Sequence, residues 1–346
     1  MITSVDDKSR LRRATPGLSE PNESDLLTSL LEPCRFMSRC ARPWKPPAPW
    51  GYDVPQSPPG FILVLEGSCL LELANDGGSW TLEADDIAIL TRAMDVCLRD
   101  RQGSPTHPLR RLIELDGETE WRQRGAGGTI GATRFVCGEL DCEDDYSRQT
   151  FGLLPPVVVL RGNAGDAAGW FRPLVEALLK EIDQPQPGGD LLCNRILQIL
   201  LIQALRQTSV RLPDAAGGLL TALRIPGLGT AMGAMHARPD HDWSVHELAE
   251  IAGLSRAAFA ARFLEVVGEP PFHYLRDVRM RLSCRLLCET EKGIKEIAAR
   301  AGYSTEASFS KAFTRWCGQA PGEYRRKIRA TESASRRPAA QNGAAR

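Results

Sequence analysis

The chain has 346 residues, of which 25% are charged and 42% are apolar, and this composition excludes a disordered chain and an integral membrane protein. The length favours two domains, because one hydrophobic core usually serves about 100–200 residues. The net charge is zero, yet residues 1–205 carry a net charge of −8 and residues 206–346 a net charge of +8. An anionic partner is therefore expected at the C-terminal half.

The inventory of residue types argues against a metal enzyme. Only His107 of the five histidines precedes residue 220, so a site with two or three imidazole ligands cannot form in the N-terminal half. There is no CxxC pair, GxSxG, P-loop or helix-opening GxGxxG. The ten cysteines are scattered, which indicates free thiols rather than a disulfide scaffold. We expect a protein that is not an enzyme and holds no metal or other cofactor.

The N-terminal segment 1–25 is polar and is predicted to be a disordered tail. It lacks the apolar core of a signal peptide, and no apolar stretch approaches the roughly 20 residues that span a bilayer. These features predict a cytoplasmic protein with no membrane association.

Short apolar runs alternate with turn residues from Cys34 to about Leu140. The runs 61–65 and 69–73 flank a Glu-Gly-Ser turn, and the segment 75–78, Asn-Asp-Gly-Gly, is a strong hairpin signal. Asp85-Asp86 is a further turn before the run 87–90. Short strands at this spacing predict an antiparallel barrel or sandwich.

Two helices are predicted after the strands. Trp170–Ile182 carries one continuous apolar stripe at helical spacing. The segment 190–206 is apolar almost all round, so it must be buried on more than one side. Packing on the barrel and a homodimer interface both explain this. The N-terminal domain is predicted over 26–207, and the linker, which includes LPDAAGG, over 208–222.

An internal repeat occupies residues 221–327. Glu247–Ser255 aligns with Glu296–Ser304 at an offset of 49. The second copy has one additional residue just after its turn, so the positions downstream align at an offset of 50. These downstream positions are Phe259, Phe263, Gly268, Pro271 and Tyr274, which match Phe309, Phe313, Gly318, Pro321 and Tyr324.

Each copy has the pattern of a helix-turn-helix. Gly253 and Gly302 stand where the chain leaves the first helix with a positive φ. Ser255 and Ser304 follow as N-caps of the second helix. The two phenylalanines of each copy, four residues apart, face the core and leave the opposite helix face for DNA. A pair of plain helical hairpins is the alternative, but it does not account for the basic charge.

A helix is predicted between the copies, from Phe272 to Cys288. A connecting helix of this length could hold two recognition helices about one DNA turn, roughly 34 Å, apart. Four arginines are spread around it, and each is either a phosphate contact or a solvated side chain. They are Arg276, Arg279, Arg281 and Arg285.

Residues 225–327 resemble the DNA-binding domain of AraC/XylS-type bacterial transcription regulators. The residues that carry the resemblance are AxxxGLS at 249–255, GEPPFHYL at 268–275 and EIAARAGYSTEASFSKAFTRWCGQAPGEYRR at 296–326. The N-terminal half resembles, less specifically, the cupin-like sensor domain of one branch of these regulators. Its marks are PWGYDVP at 49–55, GFILVLEGSCLLEL at 60–73, LEADD at 82–86 and FVCGEL at 135–140.

The resemblance implies an α+β two-domain fold. A cupin-like antiparallel β-barrel with following helices would form the N-terminal domain, and an all-α double helix-turn-helix domain would occupy 223–328. The two helix-turn-helix motifs are expected at about 246–267 and 295–317, and a disordered tail at 329–346.

The function implied is a sequence-specific regulator that reads two successive major grooves of double-stranded promoter DNA. An unknown small-molecule effector would control it, an activator would contact RNA polymerase, and a homodimer could form through 190–206. The DNA-contacting residues implied are Ser255, Arg256, Ala257, Ala260, Ala261 and Arg262 in the first motif, and Thr305, Glu306, Ser310, Lys311 and Arg315 in the second.

Ala261 departs from the pattern, because the family commonly has a long polar residue, often arginine, at this position. Alanine can meet only a thymine methyl group or leave the base unread. Arg256 and Arg262 would then supply most of the polar contacts of the first recognition helix. We therefore expect the second motif to give more of the discrimination.

The cupin-like sensors often carry histidine where this chain has Ile62 and Val96, which argues against the rival interpretation of a cupin enzyme fused to a DNA-binding module. A cysteine-based redox sensor is a second alternative, since related regulators include ones that respond to oxidants. In that hypothesis Cys137 and Cys142 form a disulfide that alters DNA binding. Buried cysteines acting as small apolar residues are the simpler explanation.

Overall fold

The computed structural model describes residues 25–74, 77–111, 133–142, 144–163, 167–211, 218–225 and 227–335. Strands dominate up to Arg161, and every later element is a helix. The strands are β1 (Phe36–Cys40), β2 (Gly51–Ser57), β3 (Gly60–Glu66), β4 (Ser68–Leu73), β5 (Ser79–Glu83), β6 (Asp86–Leu90), β7 (Met94–Arg99), β8 (His107–Pro108), β9 (Arg134–Cys142) and β10 (Val157–Arg161). The helices are α1 (Leu26–Leu31), α2 (Asp145–Gly152), α3 (Ala167–Asp183), α4 (Gly189–Arg211), α5 (Gly218–Arg224), α6 (Leu228–Ala237), α7 (Val245–Ile251), α8 (Arg256–Val267), α9 (Pro271–Glu289), α10 (Ile294–Arg300), α11 (Glu306–Cys317) and α12 (Pro321–Ser335).

The strands form two five-stranded sheets, in the orders β1-β9-β3-β6-β10 and β5-β4-β7-β2-β8. The pairs are antiparallel except β2 with β8, where Tyr52 pairs with His107 in parallel. Gly67, at φ 72°, makes the predicted turn between β3 and β4. The two-domain fold with an N-terminal antiparallel, cupin-like sheet domain is confirmed.

Side chains fill the space between the two sheets. Along β3, Ile62 and Val64 point into this interior, while Phe61 and Leu63 point to the helices outside, as the two-residue period of a strand requires. Phe135 on β9 is fully buried in the interior, with its ring centroid 5.2 Å from that of Trp50. The apolar interior is therefore packed by the chain itself.

Helix α4 covers the outer face of the first sheet, where it packs on β10 and β1, and α3 packs on α4. Leu197 and Leu201 of α4 are buried there, which confirms that much of this apolar helix packs on the barrel. The helix nevertheless leaves apolar side chains in solvent on its other side. These are Leu191 (60% exposed), Leu192 (43%), Ile199 (42%) and Val210 (70%).

The core outside the barrel continues into the C-terminal half without a break. Leu27 and Leu30 of α1 belong to the same buried cluster as Met232 of α6. The guanidinium of Arg285 on α9 lies 5.5 Å from the ring centroid of Tyr146 on α2. The N-terminal domain thus contacts the helices that support the first helix-turn-helix motif.

Some predicted boundaries differ from the structure. Helix α12 continues to Ser335, so residues 329–335 are helical rather than part of a tail. Arg325 and Arg329 explain this, because they donate hydrogen bonds to the carbonyls of Lys292 (2.6 Å) and Thr290 (3.1 Å) and fasten α12 to the loop before α10. Helix α1 was not predicted. The tail 1–24, the hairpin residues 75–76 and the linker core 212–217 lie outside the described residues.

Candidate DNA-binding surface

The first helix-turn-helix consists of α7, a turn and α8. Ser244 and Glu247 form a capping box at the start of α7: the Ser244 N–H donates to Glu247 Oε2 (2.8 Å) and the Glu247 N–H to Ser244 Oγ (3.1 Å). Hydrogen bonds to the carboxylate from Ser244, first from its backbone N–H, and from His241 favour the charged form and lower the pKa of Glu247 to about 2. Gly253 turns the chain at φ 66°, and Ser255 Oγ accepts the N–H of Ala258 (3.3 Å). The predicted turn glycine and N-cap are both confirmed.

The second motif, α10 to α11, repeats this geometry with one change. Gly302 has the predicted positive φ, 75°. Ser304, however, is not the N-cap: Thr305 is, and its Oγ1 accepts the N–H of Ser308 at 3.1 Å. The additional residue in the second turn shifts the start of the helix, so Thr305 occupies the place that Ser255 has in the first motif.

Equivalent aromatic clusters hold both recognition helices. In the first motif the ring centroids of Phe259 and Phe263 are 5.6 Å apart, and those of Phe263 and Tyr274 5.7 Å. In the second, Phe309 and Phe313 are 5.7 Å apart, and Phe313 and Tyr324 5.6 Å. Because the same rings lie behind α8 and α11, the two helices present equivalent faces to solvent.

Of the predicted residues of the first motif, Ala257 and Ala261 share the outward face of α8, and the others lie at its N-terminal end or on its flanks. Ser255, Arg256, Ala257 and Ala261 are exposed, while Ala260 and Arg262 are half-buried. Arg262 Nη1 donates to Glu265 Oε2 at 2.9 Å, one turn further along the helix. The guanidinium of Arg262 is therefore engaged within its own helix and not directed at the surface centred on Ala261.

The predicted residues of the second motif lie on the corresponding side of α11. Thr305, Glu306, Lys311 and Arg315 are exposed, and Ser310 is half-buried. The side chain of Thr305 also caps the helix. This surface carries two cations, at Lys311 and Arg315, where α8 carries Ala261 and Glu265.

The predicted contacts omit some exposed residues of the outward faces, among them Leu264 and Thr314. Leu264 is 49% exposed and lies on the same face of α8 as Ala257 and Ala261. Thr314 occupies the equivalent position on α11 and is also exposed. The spacing i, i+4, i+7 from Ala257 would have identified Leu264, because residues at these separations share a helix face.

The connecting helix α9 uses most of its arginines within the protein. Arg279 donates from Nε to the Pro239 carbonyl (2.7 Å) and from Nη2 to the His241 carbonyl (2.9 Å). Arg281 is only 6% exposed, and its Nη2 has no hydrogen-bond partner among the described residues. Arg285 packs on Tyr146. Phosphate contact by these three side chains is therefore not supported by their positions.

The strand β9 separates the two cysteines of the redox hypothesis. Cys137 belongs to the barrel interior and Cys142 to the cluster under the helices. Five residues of strand place their Cα atoms about 16 Å apart, whereas a disulfide needs less than about 7 Å. Burial raises the pKa of the Cys142 thiol to about 11 and that of Cys137 well above its ordinary value. A Cys137–Cys142 disulfide does not fit this strand.

The described residues contain no group of three or more His, Cys, Asp or Glu side chains able to hold a metal ion. Within the same ranges, no helix is both long and apolar enough to cross a membrane.

A family model described as cupin matches residues 25–209, and one described as a helix-turn-helix domain matches residues 248–327. The chain is 30% identical over 278 residues to a putative AraC-like transcription regulator of Streptomyces antibioticus, which covers 80% of this chain and 89% of that protein. It is 31% identical over 267 residues to the RCS-specific HTH-type transcriptional activator RclR of Escherichia coli K12, covering 77% and 84%. It is 37% identical over 158 residues to the regulator AlkR of Acinetobacter baylyi, covering 46% and 51%. The chain belongs to the AraC-type family of DNA-binding transcription regulators that carry an N-terminal cupin-like domain.

Proposed function

We propose that this regulator binds its operator by inserting α8 and α11 into two successive major grooves on one face of the DNA, and that it acts without catalysis. The observation that carries the proposal is that α8 and α11, which lie towards opposite ends of α9, have the same construction. Each begins at a side-chain N-cap and packs its inner face on an equivalent cluster of aromatic rings. At 1.5 Å per residue the 19-residue α9 is about 28 Å long, comparable with the roughly 34 Å of one DNA turn.

Within this arrangement α11 makes the polar base contacts. Lys311 lies at the centre of its outward face and suits the O6 and N7 acceptors of guanine, while Arg315 lies at the edge, where a phosphate would pass. Glu306, at the first position of α11, suits the amino group of cytosine. On α8, Arg256 is the exposed cation that has no hydrogen-bond partner among the described residues.

Operator binding at several salt concentrations tests these roles. The operator comes from genome-wide mapping of bound sites, and the variants are Lys311→Ala and Arg315→Ala. Loss of a base contact relaxes sequence preference, whereas loss of a phosphate contact weakens all sequences equally and lowers the salt slope by about one. Lys180→Ala, on the exposed side of α3, makes the same charge change in the N-terminal half and should alter neither quantity. Unchanged binding by both α11 variants would contradict the proposal.

We further propose that two copies associate through the exposed apolar face of α4, residues Leu191, Leu192, Ile199 and Val210. These four large apolar side chains are 42–70% exposed along one side of α4, where the exposed Arg195 and Arg206 stand between them. Together they are more than the scattered single apolar residues of a monomer surface. Ile199→Glu should convert the dimer to a monomer in sedimentation analysis. Glu176→Lys on α3 changes charge without touching this face and serves as the control. A wild-type monomer at micromolar concentration would overturn the proposal.

A small-molecule effector would act through a cavity of about 330 Å³ between α1 and α4, whose lining includes Leu31, Phe36, Ile202 and Arg206. This volume lies within the range of small-ligand sites, and α1 packs directly on α6 of the DNA-binding half. Filling the cavity by Ile202→Trp should abolish the response of a reporter promoter to its inducing condition but preserve operator binding. Leu153→Trp, which adds the same side chain outside the cavity, is the control. If the regulator activates the reporter promoter, RNA polymerase is the expected protein partner. A normal response from Ile202→Trp would exclude this cavity.

A further inference from the structure

The outward face of α8 is apolar, although it occupies the position of a DNA-reading surface. Ala257 and Ala261 are exposed and Leu264 is 49% exposed, whereas Phe259 and Phe263 on the opposite face are fully buried. The equivalent face of α11 consists of Ala307, Lys311 and Thr314. The two recognition helices therefore differ at their centres: one presents a methyl-rich surface and the other a cation and a hydroxyl group.

The polar neighbours of this face do not compensate for its apolar character. Arg262 is half-buried and ion-paired with Glu265, at 2.9 Å between Nη1 and Oε2. Glu265 is 67% exposed beside this face and has one carboxylate oxygen paired with Arg262. Arg256 lies at the first position of α8, more than a turn before Ala261. No hydrogen-bonding side chain is left at the centre of the surface.

Only one base offers a matching group in the major groove. Thymine carries a 5-methyl group there, while the edges of the other bases carry hydrogen-bond donors and acceptors that lose water without gaining a partner against alanine or leucine. We propose that α8 recognises thymine through its methyl groups, with Leu264 as a specificity-determining residue beside Ala257 and Ala261. The proposal rests on the insertion of α8 into a major groove, which is part of the proposed function.

The direct test removes single methyl groups from the DNA. Deoxyuridine replaces thymidine first in the half-site of α8 and then, separately, in the half-site of α11, and the dissociation constant of the full-length protein is measured for each duplex. Because burying one methyl group contributes about 0.8 kcal/mol, each contacted thymine that is replaced should weaken binding about fourfold. Replacement in the half-site of α11 should change binding by less than about twofold. Equal effects in both half-sites, or none in the α8 half-site, overturn the inference.

A protein variant links the effect to its residue. Leu264→Ala should weaken binding to the thymine operator about fourfold, but it should not weaken binding further once the α8 half-site contains deoxyuridine. Thr314→Ala, the matched position on α11, should have the same effect on both duplexes. Leu264 is half-exposed, so its truncation leaves the core intact.

Failure of this inference differs from failure of the proposed function. If the unmodified operator shows protection of two successive major grooves but deoxyuridine in the α8 half-site has no effect, α8 binds without reading methyl groups. If only one groove is protected, the proposed two-groove binding is wrong and the inference falls with it.

Discussion

Gly253 and Gly302 offer a paired test of how the two turns are built. They hold equivalent places, with φ 66° and 75°, so alanine at either site must adopt the left-handed conformation at a cost of about 1–2 kcal/mol. Their surroundings differ. A Cβ at Gly253 has no atom within 4 Å, whereas a Cβ at Gly302 would lie 2.7 Å from Arg279 Nη2 and 2.9 Å from the Pro239 carbonyl oxygen.

The steric difference should appear directly in stability. Gly253→Ala should lower the free energy of unfolding by about 1–2 kcal/mol, and Gly302→Ala by about 1–3 kcal/mol more, the usual cost of overpacking. Arg279 cannot simply move, because its two hydrogen bonds hold the carbonyls of Pro239 and His241. Urea unfolding of the full-length variants, followed by circular dichroism, measures both changes.

A double mutant isolates the cause. In an Arg279→Ala background, the loss in free energy of unfolding caused by Gly302→Ala should fall towards the loss caused by Gly253→Ala. The remaining difference would come from the close contact of the new Cβ with the Pro239 carbonyl oxygen. Equal losses for the two glycine variants in the wild-type background would refute the reasoning, as would a Gly302 cost that is unaffected by removing Arg279.

Three further predictions concern the capping box, the buried arginine and the first recognition helix. The pKa of Glu247 is lowered from 4.5 to about 2 in the folded state. The stability advantage of the wild type over Glu247→Gln should therefore be complete above pH 4.5 and disappear as the pH falls towards 2. Urea unfolding measured at a series of acidic pH values checks this. Arg281→Met removes a buried cation whose Nη2 has no hydrogen-bond partner among the described residues, so the free energy of unfolding should stay unchanged or rise by up to about 2 kcal/mol. Arg279→Met loses two hydrogen bonds and should lower the free energy of unfolding by about 1–3 kcal/mol. Urea unfolding that shows Arg281→Met to be the less stable of the two variants would be contrary evidence. Ala261→Arg should add about 1–3 kcal/mol of discrimination for guanine at one position of the first half-site, and a site-library selection with unchanged preferences would count against it.

The sequence contained enough information for the local features of the fold. Strands, the long helices and both turns follow from periodicity and glycine placement, which depend on a few neighbouring residues. Ser255 was identified as a cap on that basis. The prediction of Ser304 as an N-cap was wrong, because a one-residue insertion moves the N-cap of α11 to Thr305. Alignment of the two motifs alone does not reveal where the helix begins.

Features that depend on residues far apart in the chain could not be predicted from local sequence patterns. The partners of Arg279 lie in the segment before α7. Those of Arg325 lie near the end of α9 and in the loop before α10, so neither role could be deduced from helix patterns. The two cysteines of β9 looked close because only four residues separate them, but the strand places them in different cores. Leu264 was not among the predicted contacts, which end at Arg262, although helix geometry alone places it beside Ala261.

Changing the spacing of the two half-sites tests the central claim most directly. Since α9 fixes the separation of α8 and α11, inserting five base pairs between the half-sites rotates one of them to the opposite face of the DNA. One motif then binds alone, and the affinity of the full-length protein should fall by about 100-fold or more, because the contribution of the linked second motif is lost. An affinity that is unchanged by the insertion would contradict simultaneous binding of two successive major grooves.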